Sequence, residues 1–197
     1  MLKFVRIATW ALVIALTVAT GWVLWKGEPP TGAGTGEVAI GGPFSLVDVD
    51  GRRVDQSILA GRPHAIFFGF THCPEVCPTT LAELSAMTEE LGPDADKIDV
   101  YFVTVDPTRD DAATLKSYLS SFGDRIRGLT GTEDDIAAVA KAYKVFYRKV
   151  PTDNGDYTMD HTAGVFLFDA DGRFQGTIAY GEKHDDAIAK LKRLIAA

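Results

Sequence analysis

Cys73 and Cys77 are the only cysteines in this 197-residue chain, and they lie in Gly69-Phe70-Thr71-His72-Cys73-Pro74-Glu75-Val76-Cys77-Pro78. Two thiols so placed can close a disulfide, exchange one with a partner, or hold a soft metal ion. The spacing is Cys-x3-Cys, not the Cys-x2-Cys of a thioredoxin redox motif. The longer interval, with Pro74 inside it, lets both sulfurs converge on something between them. Pro78 suits the first turn of a helix, where its missing N–H costs nothing. Cys77 therefore falls near a helix N-terminus, whose unpaired N–H groups favour its thiolate. Thiolates select Cu(I), with zinc as the rival. The plain alternative is a structural disulfide, but closing so short a loop restrains the unfolded chain little.

A distant histidine adds a third donor. His161 stands in Met159-Asp160-His161-Thr162, ahead of a β-type run. Two thiolates and an imidazole make a three-coordinate set suited to copper. The other histidines carry less. His72 is adjacent to Cys73 and projects differently, while His64 and His184 begin a strand and a helix and read as surface. Met159 reads as packing. Asp160 either orients His161 or is an exposed turn carboxylate.

The elements that must position these residues follow from periodicity and turn residues. Phe44, Leu46 and Val49 flank a hairpin turn at Asp50-Gly51. A buried strand over 64–70 leads into the cysteines, and a helix runs from Thr79 to Leu91, with Leu81, Leu84, Leu91 and Met87 or Thr88 inward. Gly92-Pro93 ends it. A strand over 98–105 precedes a helix ending near Phe122. Gly128-Leu129-Thr130-Gly131-Thr132 reads as a loop, and Thr132 with Asp135 approximates a capping box for a helix from Glu133 to about Tyr143. Runs 145–150 and 157–160 flank a polar excursion, 163–168 and 173–179 form a hairpin, and 183–195 is a final helix with Ala187, Ile188, Leu191 and Ile195 on one face. This order predicts an α/β, thioredoxin-like fold: a central mixed sheet flanked by helices. In that fold the cysteine loop sits at the carboxyl end of the first core strand, and the segment entering the last hairpin lies opposite it. Redox thioredoxins carry a cis-proline there. This chain has no proline after Pro151 and presents His161 in that region.

The amino-terminal part is different in kind. Ile7–Trp25 has no charge and no proline, and its length as a helix, roughly 28 Å, matches a hydrocarbon core. Lys3 and Arg6 place the N-terminus in the cytoplasm. Trp22 and Trp25 suit the far interface. A cleaved signal peptide is the alternative, but the run ends in Trp-Val-Leu-Trp rather than a small-x-small site. The expected organisation is a cytoplasmic N-terminus and transmembrane anchor over 1–26, a flexible tether over 27–41, and a folded domain over 42–197. The net charge is −7, and the domain beyond residue 30 carries −9 because the leader is basic. That balance, with no long Lys/Arg cluster, argues against nucleic acid as a partner.

The segment GFTHCPEVCPTTL, followed by VDPTRD, GLTGT and DHTAGVFLFDADGRF, resembles the Sco/SenC family of membrane-anchored copper-binding proteins, from about Gly41 to the C-terminus. The resemblance implies that Cys73, Cys77 and His161 bind one copper ion, as Cu(I) or Cu(II). It implies a role in assembling the CuA centre of cytochrome c oxidase subunit II, by delivering copper received from a donor protein or by reducing the subunit's cysteines. In the second role Cys73 and Cys77 act as a redox pair. Asp106, Arg109 and Asp110 match a family motif, although local helix capping accounts for them as well. The short leader points to a bacterial inner membrane, crossed once, with the domain in the periplasm.

Overall fold

The computed structural model describes Arg6, Trp10, Ala11, residues 13–18, Trp22 and residues 40–197 except Asn154 and Ala197. The chain divides into two compact units, Met1–Val38 and Ala39–Ala197. The described residues of the first unit are helical. Among the described residues no helix is long and apolar enough to cross a membrane. Most of the expected anchor, Ile7–Trp25, and of the tether lies outside the described residues.

The second unit is built on a seven-stranded sheet in the order β2-β1-β5-β4-β3-β8-β9. Strands β1 (Ser45–Asp48) and β2 (Arg53–Asp55) form the first hairpin, with Gly51 at φ 79° in its turn. Strands β3 (His64–Gly69), β4 (Asp99–Thr104) and β5 (Ile126–Thr130) run parallel. Both β3 and β4 are buried throughout, which is why Ala65-Ile66-Phe67-Phe68 reads as a continuous apolar run rather than an alternating one. The closing hairpin, β8 (Val165–Phe168) and β9 (Phe174–Ile178), adds antiparallel to β3. Helices α1 (Val76–Leu91), α2 (Ala112–Leu119), α3 (Glu133–Ala142) and α4 (His184–Ala196) complete the α/β, thioredoxin-like architecture. A separate two-stranded ribbon, β6 (Tyr147–Pro151) and β7 (Tyr157–His161), stands apart from the main sheet and ends at His161.

Helix α1 buries Leu81, Leu84, Leu91 and both Met87 and Thr88. Thr132 and Asp135 form the capping box that opens α3. In α4 the buried stripe is Ala187, Ile188, Leu191 and Leu194, with Ile195 only partly buried.

Two expectations are corrected. The segment read as a loop at Gly128-Leu129-Thr130 is part of β5, a strand in the middle of the sheet. Gly128 weakens the strand signal, yet a Cβ there would come within 2.7 Å of Leu119 Cδ1 and 2.8 Å of Val49 Cγ1. Glycine is present because α2 and β1 approach the strand closely. His64, read as surface, is 2% exposed. It stacks on Phe168 with centroids 5.0 Å apart, and its Nδ1 lies 3.1 Å from the Arg62 carbonyl. A histidine can start a buried strand when one face is an aromatic stack and one nitrogen is satisfied by backbone.

Candidate metal centre

Strand β3 delivers the cysteine loop. After Gly69 the chain turns, with the Cys73 N–H bonded to the Phe70 carbonyl at 3.3 Å, and enters α1 at Val76. Pro78 lies in the first turn of α1, where N–H groups have no intrahelical partner. The Glu75 side chain makes no cap bond. Instead the Cys77 N–H donates to Cys73 Sγ at 3.3 Å, so a cysteine sulfur takes the place of a capping oxygen.

His161 comes from the end of β7, paired across the ribbon with Tyr147. Its ring meets Phe70 edge-on at 5.8 Å and 86°, and Phe67 at 6.1 Å and 63°. Its Nδ1 lies 3.0 Å from the Thr162 carbonyl oxygen. A carbonyl only accepts, so Nδ1 carries the proton and Nε2 presents a lone pair. That Nε2 lies 3.5 Å from Cys77 Sγ. The donor atoms of Cys73, Cys77 and His161 all lie within 4.8 Å of one another. Two sulfurs and one fixed imidazole nitrogen, partly shielded from water, fit a soft, low-coordinate ion. Neither cysteine is in a disulfide.

The thiols are unequal. The hydrogen bond from the Cys77 side chain, with help from the backbone N–H groups of Cys77 and Glu75, overcomes partial burial and brings Cys73 down to about 4. The same bond, together with burial, pushes Cys77 up. The expectation that the helix terminus would favour the Cys77 thiolate is therefore reversed. Cys77 is fully buried, and it is Cys73, in the loop, that receives the N–H of the helix's first turn.

Two buried carboxylates hold the flanking loops. Asp110 accepts from the Thr71 N–H at 2.9 Å, the Thr71 hydroxyl at 2.5 Å and the Thr104 hydroxyl at 2.6 Å, so it fixes the start of the cysteine loop. Asp106 accepts from Arg109 Nε at 2.5 Å and from the Tyr157 hydroxyl at 2.9 Å. Arg109 also donates to the Tyr157 carbonyl at 3.0 Å. This clasp ties the loop after β4 to the ribbon that carries His161. Local capping does not account for Asp106, Arg109 or Asp110, because Asp111 is the N-cap of α2 and accepts from the Thr114 N–H at 2.7 Å.

The SCO1/SenC family model matches residues 32–196. The chain belongs to the SCO1/SenC family. Protein SCO2, mitochondrial, from Saccharomyces cerevisiae is 34% identical over 210 residues, covering 99% of this chain and 69% of that protein. The SCO2-like protein RP587 of Rickettsia prowazekii is 41% identical over 142 residues, covering 70% of this chain and 68% of that one. Among solved structures, Bradyrhizobium japonicum ScoI with copper bound is 51% identical with a TM-score of 0.74, covering 79% of this chain and 99% of that one.

Within this SCO1/SenC chain the remaining candidates separate clearly. Asp160 pairs with Arg148 at 2.7 Å, so the Thr162 carbonyl, not Asp160, orients His161. Met159 is buried, in keeping with packing. His72 is exposed and lies 3.0 Å from the Thr71 hydroxyl, and His184 pairs with Glu90 at 2.7 Å on the surface. Gly69, Thr71, Thr104 and Tyr157 support the site, and the sequence reading does not single them out. Of these, Gly69 and Thr71 lie within the cysteine motif, whereas Tyr157 has no local signal.

Proposed function

We propose that this protein is a membrane-anchored copper metallochaperone that assists assembly of the CuA centre in cytochrome c oxidase subunit II. Copper, as Cu(I) or Cu(II), is its cargo, one ion per chain, held by Cys73, Cys77 and His161 and received from a donor protein. The observation that carries this reading is the convergence of those three donor atoms within 4.8 Å from two separate parts of the fold. The copper-bound relative at 51% identity supports it. The apolar run Ile7–Trp25 between basic and aromatic flanks supports a single inner-membrane span, with the domain over 42–197 in the periplasm on a tether over 27–41. Copper titration of the reduced domain 41–197 tests the metal site. One copper per chain is expected, with a thiolate charge-transfer band lost in Cys73→Ser and Cys77→Ser and altered in His161→Ala. No tight binding would overturn it.

One observation favours a second reading, a thiol–disulfide reductase acting on the cysteines of subunit II. Cys73 is partly exposed and held as a thiolate beside a buried, protonated Cys77, the arrangement of an attacking and a resolving thiol. Cys73 would form a mixed disulfide with the target, and Cys77 would resolve it, leaving an internal disulfide and a reduced target. Under this reading His161→Ala leaves reduction of an oxidised subunit II fragment intact.

A further inference from the structure

Access to the three donor atoms is one-sided. Cys77 is fully buried, and His161 is enclosed by Phe67 and Phe70. A groove of about 420 Å³ opens onto Cys73 and His161, and its walls include Val76, Phe146 and Met159. Phe146 is 59% exposed. Apart from Tyr180 at 42%, it is the exposed large hydrophobic side chain among the described residues of the folded unit. Scattered apolar residues are normal on a surface, but an aromatic at the rim of a reactive groove is the usual anchor of an interface.

The fold does not hold Phe146 out by accident of a loose loop. Its N–H donates to the Thr162 hydroxyl oxygen at 3.0 Å, and its carbonyl accepts from the Thr162 N–H at 3.0 Å. The residue that presents Phe146 is therefore the one whose carbonyl fixes the His161 tautomer. The charged side chains on the groove are Glu75 and Asp160. Asp160 is neutralised by Arg148, whereas Glu75 is exposed and makes no capping bond.

We infer that this groove is the docking site for the thiol-bearing loop of the protein that accepts copper from this chain. The loop packs an apolar residue against Phe146 and Met159 and sets a cationic residue against Glu75. The inference rests on the chaperone reading and adds the surface through which it works. Any ligand that takes copper from Cys73 must enter here, since the groove opens onto Cys73 and His161 and the other sulfur is buried. In the exchange Cu(I) leaves as Cu(I) and no electron moves. Two acceptor thiols give up two protons; Cys77 takes up one, the other passes to solvent, and Cys73 stays a thiolate.

The test uses the full chain in detergent micelles, loaded with Cu(I), and the reduced, metal-free CuA domain of oxidase subunit II as probe. The second-order transfer rate is compared for the unsubstituted protein, Phe146→Ala, Glu75→Lys and Tyr180→Ala. Phe146→Ala is expected to slow transfer roughly tenfold or more, as loss of a central aromatic anchor does. Glu75→Lys is expected to slow it and to weaken its salt dependence. Tyr180→Ala is expected to leave it unchanged, and all variants to retain one copper per chain. Transfer at the original rate in Phe146→Ala would overturn the inference alone. Absence of transfer from the unsubstituted protein would overturn the chaperone reading and the docking site with it.

Discussion

The Arg109 guanidinium lies over the Tyr157 ring at 3.8 Å while the Tyr157 hydroxyl donates to Asp106, the carboxylate that also holds Arg109. Two residues 48 positions apart are thus bound through ring, hydroxyl and backbone at once. Asp106 is fully buried, so removing its cation leaves an unpaired charge in the interior. Arg109→Ala is expected to cost about 3–5 kcal/mol in urea unfolding. Tyr157→Phe keeps the ring and loses only the hydroxyl bond to a carboxylate, at about 1.5–3 kcal/mol. Both loosen the clasp on the ribbon that carries His161, Arg109→Ala the more because it also removes the ring and backbone contacts, so both should alter the copper spectrum in the direction of His161→Ala while the two thiolates stay bound. A copper spectrum unchanged in both variants would show that the clasp is structural only.

Gly69 is the point where strand and sulfur touch. A Cβ there would come within 2.9 Å of Cys77 Sγ and 2.8 Å of Phe102 Cε2. Gly69→Ala is expected to lose about 1–3 kcal/mol through overpacking and to lower copper affinity by displacing the sulfur. Gly128→Ala is as tight, at 2.7 Å from Leu119 Cδ1, but meets no thiol. It should lose stability without losing affinity. Equal effects of the two on copper binding would refute the distinction.

The cysteine pair predicts a particular pH profile for alkylation of the reduced protein. An ordinary thiol, with a pKa of about 8.5, is almost wholly protonated at pH 6. Cys73, held near 4, is thiolate there. Iodoacetamide should modify Cys73 at a rate that is flat from pH 8 to pH 6 and falls only as the pH drops through about 4. Cys77 should react only after unfolding, because it is buried and its thiol is pushed up. Mass spectrometry of the modified protein reads both, and preferential labelling of Cys77 would contradict the assignment.

His64 gives a stability effect away from the site. Burial lowers its pKa below the 6.5 it has when unfolded. Below pH 6.5 the unfolded chain therefore binds a proton that the folded chain resists, and stability falls as the pH falls. Above pH 6.5 both states are neutral and the contribution is constant. His64→Phe retains an aromatic partner for Phe168 and should reduce the loss of stability between pH 7 and pH 5, measured by urea midpoints at each pH. An undiminished loss would assign the acid sensitivity to other groups.

What the sequence determined by itself is whatever is written in neighbouring residues. The cysteine spacing, Pro78 in a first helical turn, the apolar run of β3 and the Thr132–Asp135 capping box are all local, and they suffice for the fold class and for Cys73, Cys77 and His161 as candidates. The tertiary structure decided what depends on distant residues meeting. Gly128 reads as a loop until Val49 and Leu119 are seen to press on its strand. His64 reads as surface until Phe168 covers it. Asp106, Arg109 and Asp110 match a family motif but read equally well as local caps until Tyr157 and Thr71 arrive from elsewhere in the chain. Even the choice of thiolate followed this rule, because the proton goes to the sulfur that is buried, and burial is a property of the packed chain rather than of any stretch within it.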